Sequence, residues 1–282
     1  MSSIKDRQRA AARARLEKEM AERAEAARKR RQKRAIIGAA LVVVVIAGGA
    51  YFLVTALRDD DKPATNAAAA PPGTVACTWT PETAPPDGSQ GPKIVDVGTP
   101  PPNAANTGKL TMTIDSTLGP ITATVDKSKT PCTAAAFEFL SSKKFWDGTK
   151  CHRMTTQGIK VLQCGDPSAK GKGYRDTDGT GGPSFRYAEE NKPPNAADGT
   201  ATYPAGSIAM AKTQQPGSTG SQFFITYAET KLPGDYTLLG TVSQGMDVVN
   251  KVAKGGVDDS NGPGDGHPKT EIGIKTLTLA PA

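Results

Sequence analysis

An uncharged run of 23 residues, AIIGAALVVVVIAGGAYFLVTAL, begins at Ala35 and ends at Leu57. A helix rises about 1.5 Å per residue, so this run reaches about 34 Å, enough to cross a hydrocarbon core of about 30 Å. RKRRQKR precedes the run and RDDDK follows it, and positive flanks stay in the cytoplasm. We therefore expect a transmembrane helix over residues 35–57, with a cytoplasmic N-terminus and everything after it outside. The alternatives are a buried helix and a cleaved signal peptide, but the charged segment before the run is longer than a usual n-region.

The positive charge of the chain is concentrated before this run. The 282 residues carry a formal net charge of +7. Residues 1–34 hold 13 Lys and Arg against 5 Asp and Glu, which leaves 22 and 23 for the rest. This segment predicts a charged cytoplasmic helix that is solvated or lies along anionic lipid headgroups. It has no aromatic residue to stack on a base, so we expect no nucleic-acid partner.

The segment that follows, residues 58–106, is rich in Pro, Ala, Gly and Thr, as in DKPATNAAAAPPGT and GTPPPNAANTG. Such a composition predicts an extracytoplasmic linker that mostly lacks a core of its own. The exception is VACTWTP, in which Cys77 and Trp79 are candidates to dock on the folded domain. We expect that domain to occupy residues 107–282.

The pattern of residues 107–282 is mainly β. KLTMTIDSTLGPITATV alternates apolar and polar residues around a Leu-Gly-Pro turn and predicts a hairpin. TPCTAAAFEFLSSKKF and MDVVNKVAKGG predict two helices. Further short strands are predicted in SFRYAEE, GSIAMAK, SQFFITY, TLLGTVS and IGIKTLTLA. Many strands with two short helices favour an antiparallel barrel or sandwich with helical caps.

The stretch CHRMTTQGIKVLQCGD, residues 151–166, holds one of the two histidines and two of the four cysteines. A zinc site is disfavoured because the spacing from 151 to 164 is too wide for a CxxC knuckle. A thiol nucleophile is disfavoured because Cys151 and His152 are neighbours, and neighbours on a strand point to opposite faces. We therefore expect no metal and no thiol catalysis here.

An even number of cysteines outside the cytoplasm favours disulfide bonds. Folding the stretch at Gln157-Gly158 brings Cys151 opposite Cys164, at a separation near that required for a disulfide. We expect this bond, and, if it forms, Cys77 is left to pair with Cys132.

Two glycine-rich segments resemble ligand loops only superficially. KGKGYRDTDGTGGPS, residues 170–184, lacks the G-K-[ST] ending of a phosphate loop. GGVDDSNGPGDGH, residues 255–267, lacks the carboxylate spacing of a calcium loop. We expect a surface loop and a plain turn.

MAKTQQPGSTGSQFFITY, residues 210–227, ends in a step from polar to aromatic residues. Alternation along a strand puts Gln222 and Phe224 on one face and Phe223 on the other. One face of this strand thus offers an amide beside an aromatic ring.

Four segments, in order and spacing, resemble the cyclophilin family of peptidyl-prolyl cis-trans isomerases: CHRMTTQGIKVLQCGDP, GTGGPSFRYAEEN, GSTGSQFFIT and YTLLGTVSQGMDVVNKV. The resemblance covers about 170 residues. It implies a mainly β fold, a closed eight-stranded antiparallel β-barrel capped by two α-helices, with a proline-binding groove on its outer face. It also implies an enzyme that needs no cofactor.

The resemblance assigns roles to individual residues. Arg153 matches the catalytic arginine, and Gln163 and Gln222 match the glutamines that orient it and bind substrate carbonyls. Phe224 matches the floor of the proline pocket and Val161 a wall. The remaining expected contacts with substrate are Met210, Ala211, Lys212, Leu232 and Tyr236, the first two beside the peptide backbone.

Several positions depart from the family pattern. Lys160 stands where a phenylalanine usually lines the proline pocket, and the loop over residues 155–160 carries a two-residue insertion. Lys212 replaces an asparagine, and Tyr236 stands where a histidine is common. Leu232 replaces a tryptophan that many members use to bind cyclosporin, so we expect that drug to bind weakly.

The expected function is isomerisation of X–Pro bonds in secreted or cell-envelope proteins, at the outer side of the cell membrane. The alternative is a non-catalytic module that binds proline-containing peptides and has lost turnover because of Lys160.

Overall fold

The structure is a computed structural model that describes residues 70–83 and 93–282. The predicted transmembrane helix and the basic segment before it lie outside these ranges. Within the ranges, no helix has the length and apolar character needed to span a membrane.

The described chain forms short strands and two helices. The helices are α1 (Pro131–Ser142) and α2 (Met246–Gly255). The strands in chain order are β1 (Thr74–Ala76), β2 (Thr80–Pro81), β3 (Ile94–Val95), β4 (Asn103–Ala105), β5 (Lys109–Ser116), β6 (Gly119–Asp126), β7 (Thr149–Lys150), β8 (Arg153–Thr155), β9 (Val161–Cys164), β10 (Gly182–Pro183), β11 (Phe185–Arg186), β12 (Thr200–Tyr203), β13 (Ser207–Met210), β14 (Phe223–Thr226), β15 (Thr230–Pro233), β16 (Leu238–Gln244), β17 (Asp265–Gly266) and β18 (Gly273–Pro281).

Ten of these strands form one antiparallel sheet in the order β17-β8-β9-β14-β13-β16-β6-β5-β18-β7. The predicted hairpin is confirmed as β5–β6, which pairs from Lys109↔Asp126 to Ser116↔Gly119. Gly119 closes the turn with a φ of 131°, a conformation that side chains other than glycine rarely adopt. Both predicted helices are confirmed.

The prediction of a closed eight-stranded barrel is wrong in strand number and in closure. The sheet has ten strands and curls, but no ladder of the described residues joins its end strands β17 and β7. The reason lies in the lengths of the edge elements. β7 has two residues and is followed within two residues by β8, the strand next to β17, so the chain crosses the gap covalently where β7 is too short to pair across it.

Alternation along the strands divides the apolar residues into a main core and a smaller cluster. The inward positions of β5, such as Met112 and Ile114, are almost fully buried in the main core. Helix α1 adds Phe137 and Leu140, and α2 adds Val249. Full burial of such a side chain contributes about 1.5–3 kcal/mol, so these helices are held to the sheet mainly by packing.

The described part of the predicted linker is attached to the domain. β1 pairs with β4 within the linker, whereas β2 and β3 pair with β11 and β10 of the domain. Cys77 is bonded to Cys132 at the start of α1, with Cα atoms 5.6 Å apart. The Trp79 ring packs edge-on against Phe185 and Tyr187, with centroids 5.4 and 5.5 Å away. The predicted docking of Cys77 and Trp79 is therefore confirmed.

Candidate active site

The site begins at the hairpin β8–β9, where a disulfide joins Cys151 to Cys164. The predicted bond is confirmed, with Cα atoms 3.9 Å apart. Arg153 is the direct partner of Gln163, so Cys164 is opposite His152 and the bond is diagonal. The expectation of direct opposition is therefore one residue out of register. The bond fastens the hairpin next to both Arg153 and Gln163.

Three polar side chains form a relay across neighbouring strands. Arg153 donates from Nη1 to Oε1 of Gln163 over 3.3 Å, and Gln163 donates from Nε2 to Oε1 of Gln222 over 2.9 Å. The Nε2 of Gln222 donates to the carbonyl oxygens of Gly179 and Gly181 over 2.8 and 2.9 Å. Each amide is thus oriented by a donor on one side and an acceptor on the other.

Asp265 holds the other edge of the Arg153 guanidinium. Arg153 donates from Nε to Oδ1 over 2.9 Å and from Nη2 to Oδ2 over 2.7 Å. Hydrogen bonding to Arg153 lowers the pKa of the Asp265 carboxyl, and the same bonding raises the pKa of Arg153. The sequence predicts Asp265 as part of a plain turn. No local pattern marks it, because its contact depends on pairing between β17 and β8, about 110 residues apart.

A small apolar cluster lies beside the relay, separate from the main core. Its buried members are Val161, Ala201, Tyr203, Ala209, Phe224 and Leu232, with Ile159, Ala211, Tyr236 and Leu238 partly buried around them. The Phe224 ring packs edge-on against the Tyr236 ring, with the two ring centroids 5.7 Å apart. Phe223 belongs instead to the main core, so the predicted alternation of this strand is confirmed.

The register of the sheet aligns the relay with this cluster. Arg153 is directly opposite Gln163, Gln163 is opposite Phe224, and Phe224 is opposite Ala209. Directly opposed residues share a face of the sheet with Cβ atoms about 4.5–5.5 Å apart. The face therefore carries, in one row, a cation, an amide and an apolar pocket.

The family sequence model described as cyclophilin type peptidyl-prolyl cis-trans isomerase/CLD matches residues 109–279. The chain belongs to the cyclophilin family. It is 41% identical over 156 residues to the probable peptidyl-prolyl cis-trans isomerase B of Mycobacterium leprae, covering 52% of this chain and 49% of that protein. It is 32% identical over 171 residues to the peptidyl-prolyl cis-trans isomerase CYP18-1 of Arabidopsis thaliana, covering 60% and 96%.

Among solved structures, a Cryptosporidium parvum cyclophilin crystallised with the dipeptide Ala-Pro superposes with a TM-score of 0.48. Its sequence identity is 26%, over 61% of this chain and 99% of that one. The chain spans about half the length of the mycobacterial relatives that it matches.

In this cyclophilin domain, the remaining predicted contact residues lie at the ends of β13 and β15 and in the loop between β15 and β16. Met210 is fully buried in the main core, and its backbone N–H donates to the carbonyl oxygen of Thr237 over 2.9 Å. Lys212 forms an ion pair with Asp235 over 2.8 Å, and its Nζ lies 5.7 Å from the centroid of the Tyr236 ring. Leu232 is 8% exposed in the apolar cluster.

Lys160 does not project its amino group into the pocket of this cyclophilin. Its Nζ turns back to the carbonyl oxygen of Thr156, and its backbone N–H donates to Thr230 Oγ1 over 3.0 Å. The neighbouring Ile159 packs against the apolar cluster instead. The sequence did not single out Ile159, because one apolar residue in a polar loop carries no local pattern that would place it on the cluster.

A cavity of about 420 Å³ adjoins the relay. Gln163 and Gln222 line one side, and Glu82 and Ile94 from the linker line another. The predicted surface loop, residues 170–184, supports the side of the cavity that Gln222 lines, because the carbonyl oxygens of Gly179 and Gly181 accept hydrogen bonds from Gln222. The linker and the glycine-rich loop therefore both contribute to the surroundings of the site.

His152 lies behind the relay and is 3% exposed. Neither ring nitrogen has a hydrogen-bond partner among the described residues. Burial lowers the pKa of His152 to about 4, against the opposing effect of the Asp166 carboxylate. The ring is therefore neutral at pH 7.

Proposed function

We propose that this chain is a peptidyl-prolyl cis-trans isomerase. The observation that supports the proposal is the row Arg153–Gln163–Phe224, which aligns an oriented guanidinium with an apolar pocket across three adjacent strands. Relatives that carry this activity in their names support it as well.

The chemistry requires no covalent step. Rotation about an X–Pro bond costs about 18–20 kcal/mol because amide resonance is lost. In the twisted amide the prolyl nitrogen gains a lone pair, and a fixed donor stabilises that state more than either planar form. Phe224 and its apolar neighbours hold the proline ring, and Arg153 supplies the donor. Arginine suits this role because it stays charged and its planar group keeps its orientation.

The test measures cis/trans exchange of an X–Pro peptide by NMR with the full chain in mild detergent. Arg153→Ala is expected to lower the exchange rate by about 100-fold or more. Lys275→Ala removes a cation that is exposed and paired with Asp115, and it is expected to leave the rate unchanged. Unchanged exchange in Arg153→Ala would refute the site. Peptide binding by the wild type without exchange would favour the non-catalytic binding module.

The proposed substrates are X–Pro segments of secreted or cell-envelope proteins. The uncharged run over residues 35–57 and the charge difference across it support an anchor with the isomerase domain outside the cell membrane. Two disulfides support an oxidising compartment. Recovery of the full chain in the soluble fraction of disrupted cells would refute the anchor. Weak cyclosporin binding is proposed because Leu232 offers no indole.

A further inference from the structure

The Arg153–Asp265 pair is more constrained than an ordinary surface ion pair. Both oxygens of Asp265 accept from Arg153, and Asn261 Nδ2 donates to Oδ1 over 3.3 Å. The backbone of Asp265 is bonded in both directions, from its N–H to Gly262 and from Asn261 to its carbonyl, at 2.9 and 3.0 Å. The loop therefore holds the carboxylate in place by contacts that do not involve Arg153.

The pairing determines which donors of Arg153 stay available. A guanidinium has five N–H groups in one plane. Two of them bind Asp265 and a third binds Gln163. One N–H on Nη1 and one on Nη2 remain for a substrate, and both lie in a plane that is held at two edges.

We propose that Asp265 is a positioning residue for isomerisation: its carboxylate fixes the guanidinium plane so that the free donors of Arg153 face the prolyl nitrogen of the twisted amide. The inference rests on the proposed isomerase function. Asp265 acts through Arg153 and does not touch the substrate. A fixed orientation stabilises the twisted amide selectively, because the donors need no reorganisation when the lone pair forms.

A merely structural role predicts a different result. The two side chains are 36% and 28% exposed, and ion pairs near the surface contribute about 0–1 kcal/mol to folding. In a structural role, loss of the pair would leave turnover unchanged or would lower stability and turnover together. A positioning role instead lowers the exchange rate of bound peptide and leaves peptide affinity and unfolding unchanged.

The test uses the full chain in mild detergent with an X–Pro peptide, and measures the exchange rate at saturation, the dissociation constant and the urea unfolding midpoint. Asp265→Ala is expected to lower the saturated rate by about 10- to 100-fold, as small displacements of catalytic groups do, with the other two quantities unchanged. Asp265→Glu restores the carboxylate and is expected to recover part of the rate. Asp115→Ala, which removes the carboxylate of the exposed pair with Lys275, is the matched control and is expected to behave as wild type.

A double variant tests whether Asp265 acts through Arg153. In the Arg153→Ala background, Asp265→Ala is expected to cause no further loss, because residues that act as a unit are not additive. A further loss there would overturn the inference, as would wild-type turnover in Asp265→Ala. If Asp265→Ala unfolds, Asp265→Asn serves instead, since it keeps the volume and turns one acceptor into a donor. An inactive wild type refutes the proposed function itself and the positioning role of Asp265 with it. An active wild type with an equally active Asp265→Ala refutes the inference alone.

Discussion

Among single residues, His152 makes stability depend on pH. Its pKa is about 4 in the folded chain because of burial, against about 6.5 in an unfolded chain. The unfolded state therefore binds more protons than the folded state between pH 4 and pH 6.5. The part of the unfolding free energy that His152 contributes is thus highest above pH 6.5 and falls as the pH is lowered toward 4. A difference of this size corresponds to about 3 kcal/mol of unfolding free energy.

His152→Leu is expected to remove most of this dependence. The measurement is urea unfolding at pH 7 and pH 4.5 for the wild type and the variant. Burial opposes the shift, but hydrogen bonds from His267 and Ser260 lower the pKa of the Asp258 carboxyl. The stability that this carboxylate contributes is therefore lost mainly below pH 4.5. An equal loss of stability in both proteins between the two pH values would contradict the role of His152.

Ile159 and Lys160 provide a matched pair of neighbours for testing the pocket wall. Ile159 packs on the apolar cluster, whereas the Lys160 amino group turns to Thr156. Ile159→Ala is expected to weaken peptide binding by about fivefold, because the loss of one methylene group from the contact with peptide costs about 0.8 kcal/mol. Lys160→Ala is expected to leave binding unchanged. NMR titration with an X–Pro peptide measures the affinity of both variants. Weaker binding by Lys160→Ala than by Ile159→Ala would show that Lys160 is the residue that lines the pocket.

Among the elements, the two disulfides differ in the length of chain that they close. Cys77–Cys132 closes 55 residues and Cys151–Cys164 closes 13. Loop entropy then predicts losses of about 4 and about 3 kcal/mol when each bond is removed by double alanine substitution. Only the second bond fastens the hairpin of Arg153, so its removal alone is expected to lower exchange as well. Chemical unfolding and peptide exchange measure the two effects, and equal exchange in both variants would contradict this division.

Elements with a local signal were predictable from the sequence, and elements that depend on distant pairing were not. The β5–β6 hairpin and both helices follow from alternation, caps and turn residues within each segment. β17 has two residues and pairs with β8 from far along the chain, so Asp265 was predicted as part of a turn. The alternation in β14 correctly separated Phe223 from Phe224, whereas no local pattern marked Ile159 as a residue that packs on the apolar cluster.

Across the whole molecule, the folded unit begins before the cyclophilin match. The match begins at residue 109, whereas the compact unit extends over Ala69–Ala282. The earlier residues supply Cys77, the Trp79 ring and the Glu82 wall of the cavity. Composition alone concealed this, because Pro-rich sequence predicts a linker whether or not its few apolar residues find a surface.

Two truncations separate these boundaries. A chain that lacks residues 1–68 is expected to keep the unfolding midpoint and exchange rate of the full chain. A chain that lacks residues 1–106 loses the Cys77 bond and the packing of Trp79, and it leaves Cys132 unpaired. It is expected to be less stable by at least the roughly 4 kcal/mol of the disulfide. Urea unfolding under non-reducing conditions compares the three chains. Equal stability of both truncations would show that residues 69–106 act as a free linker after all, because packing and covalent attachment would then contribute nothing measurable.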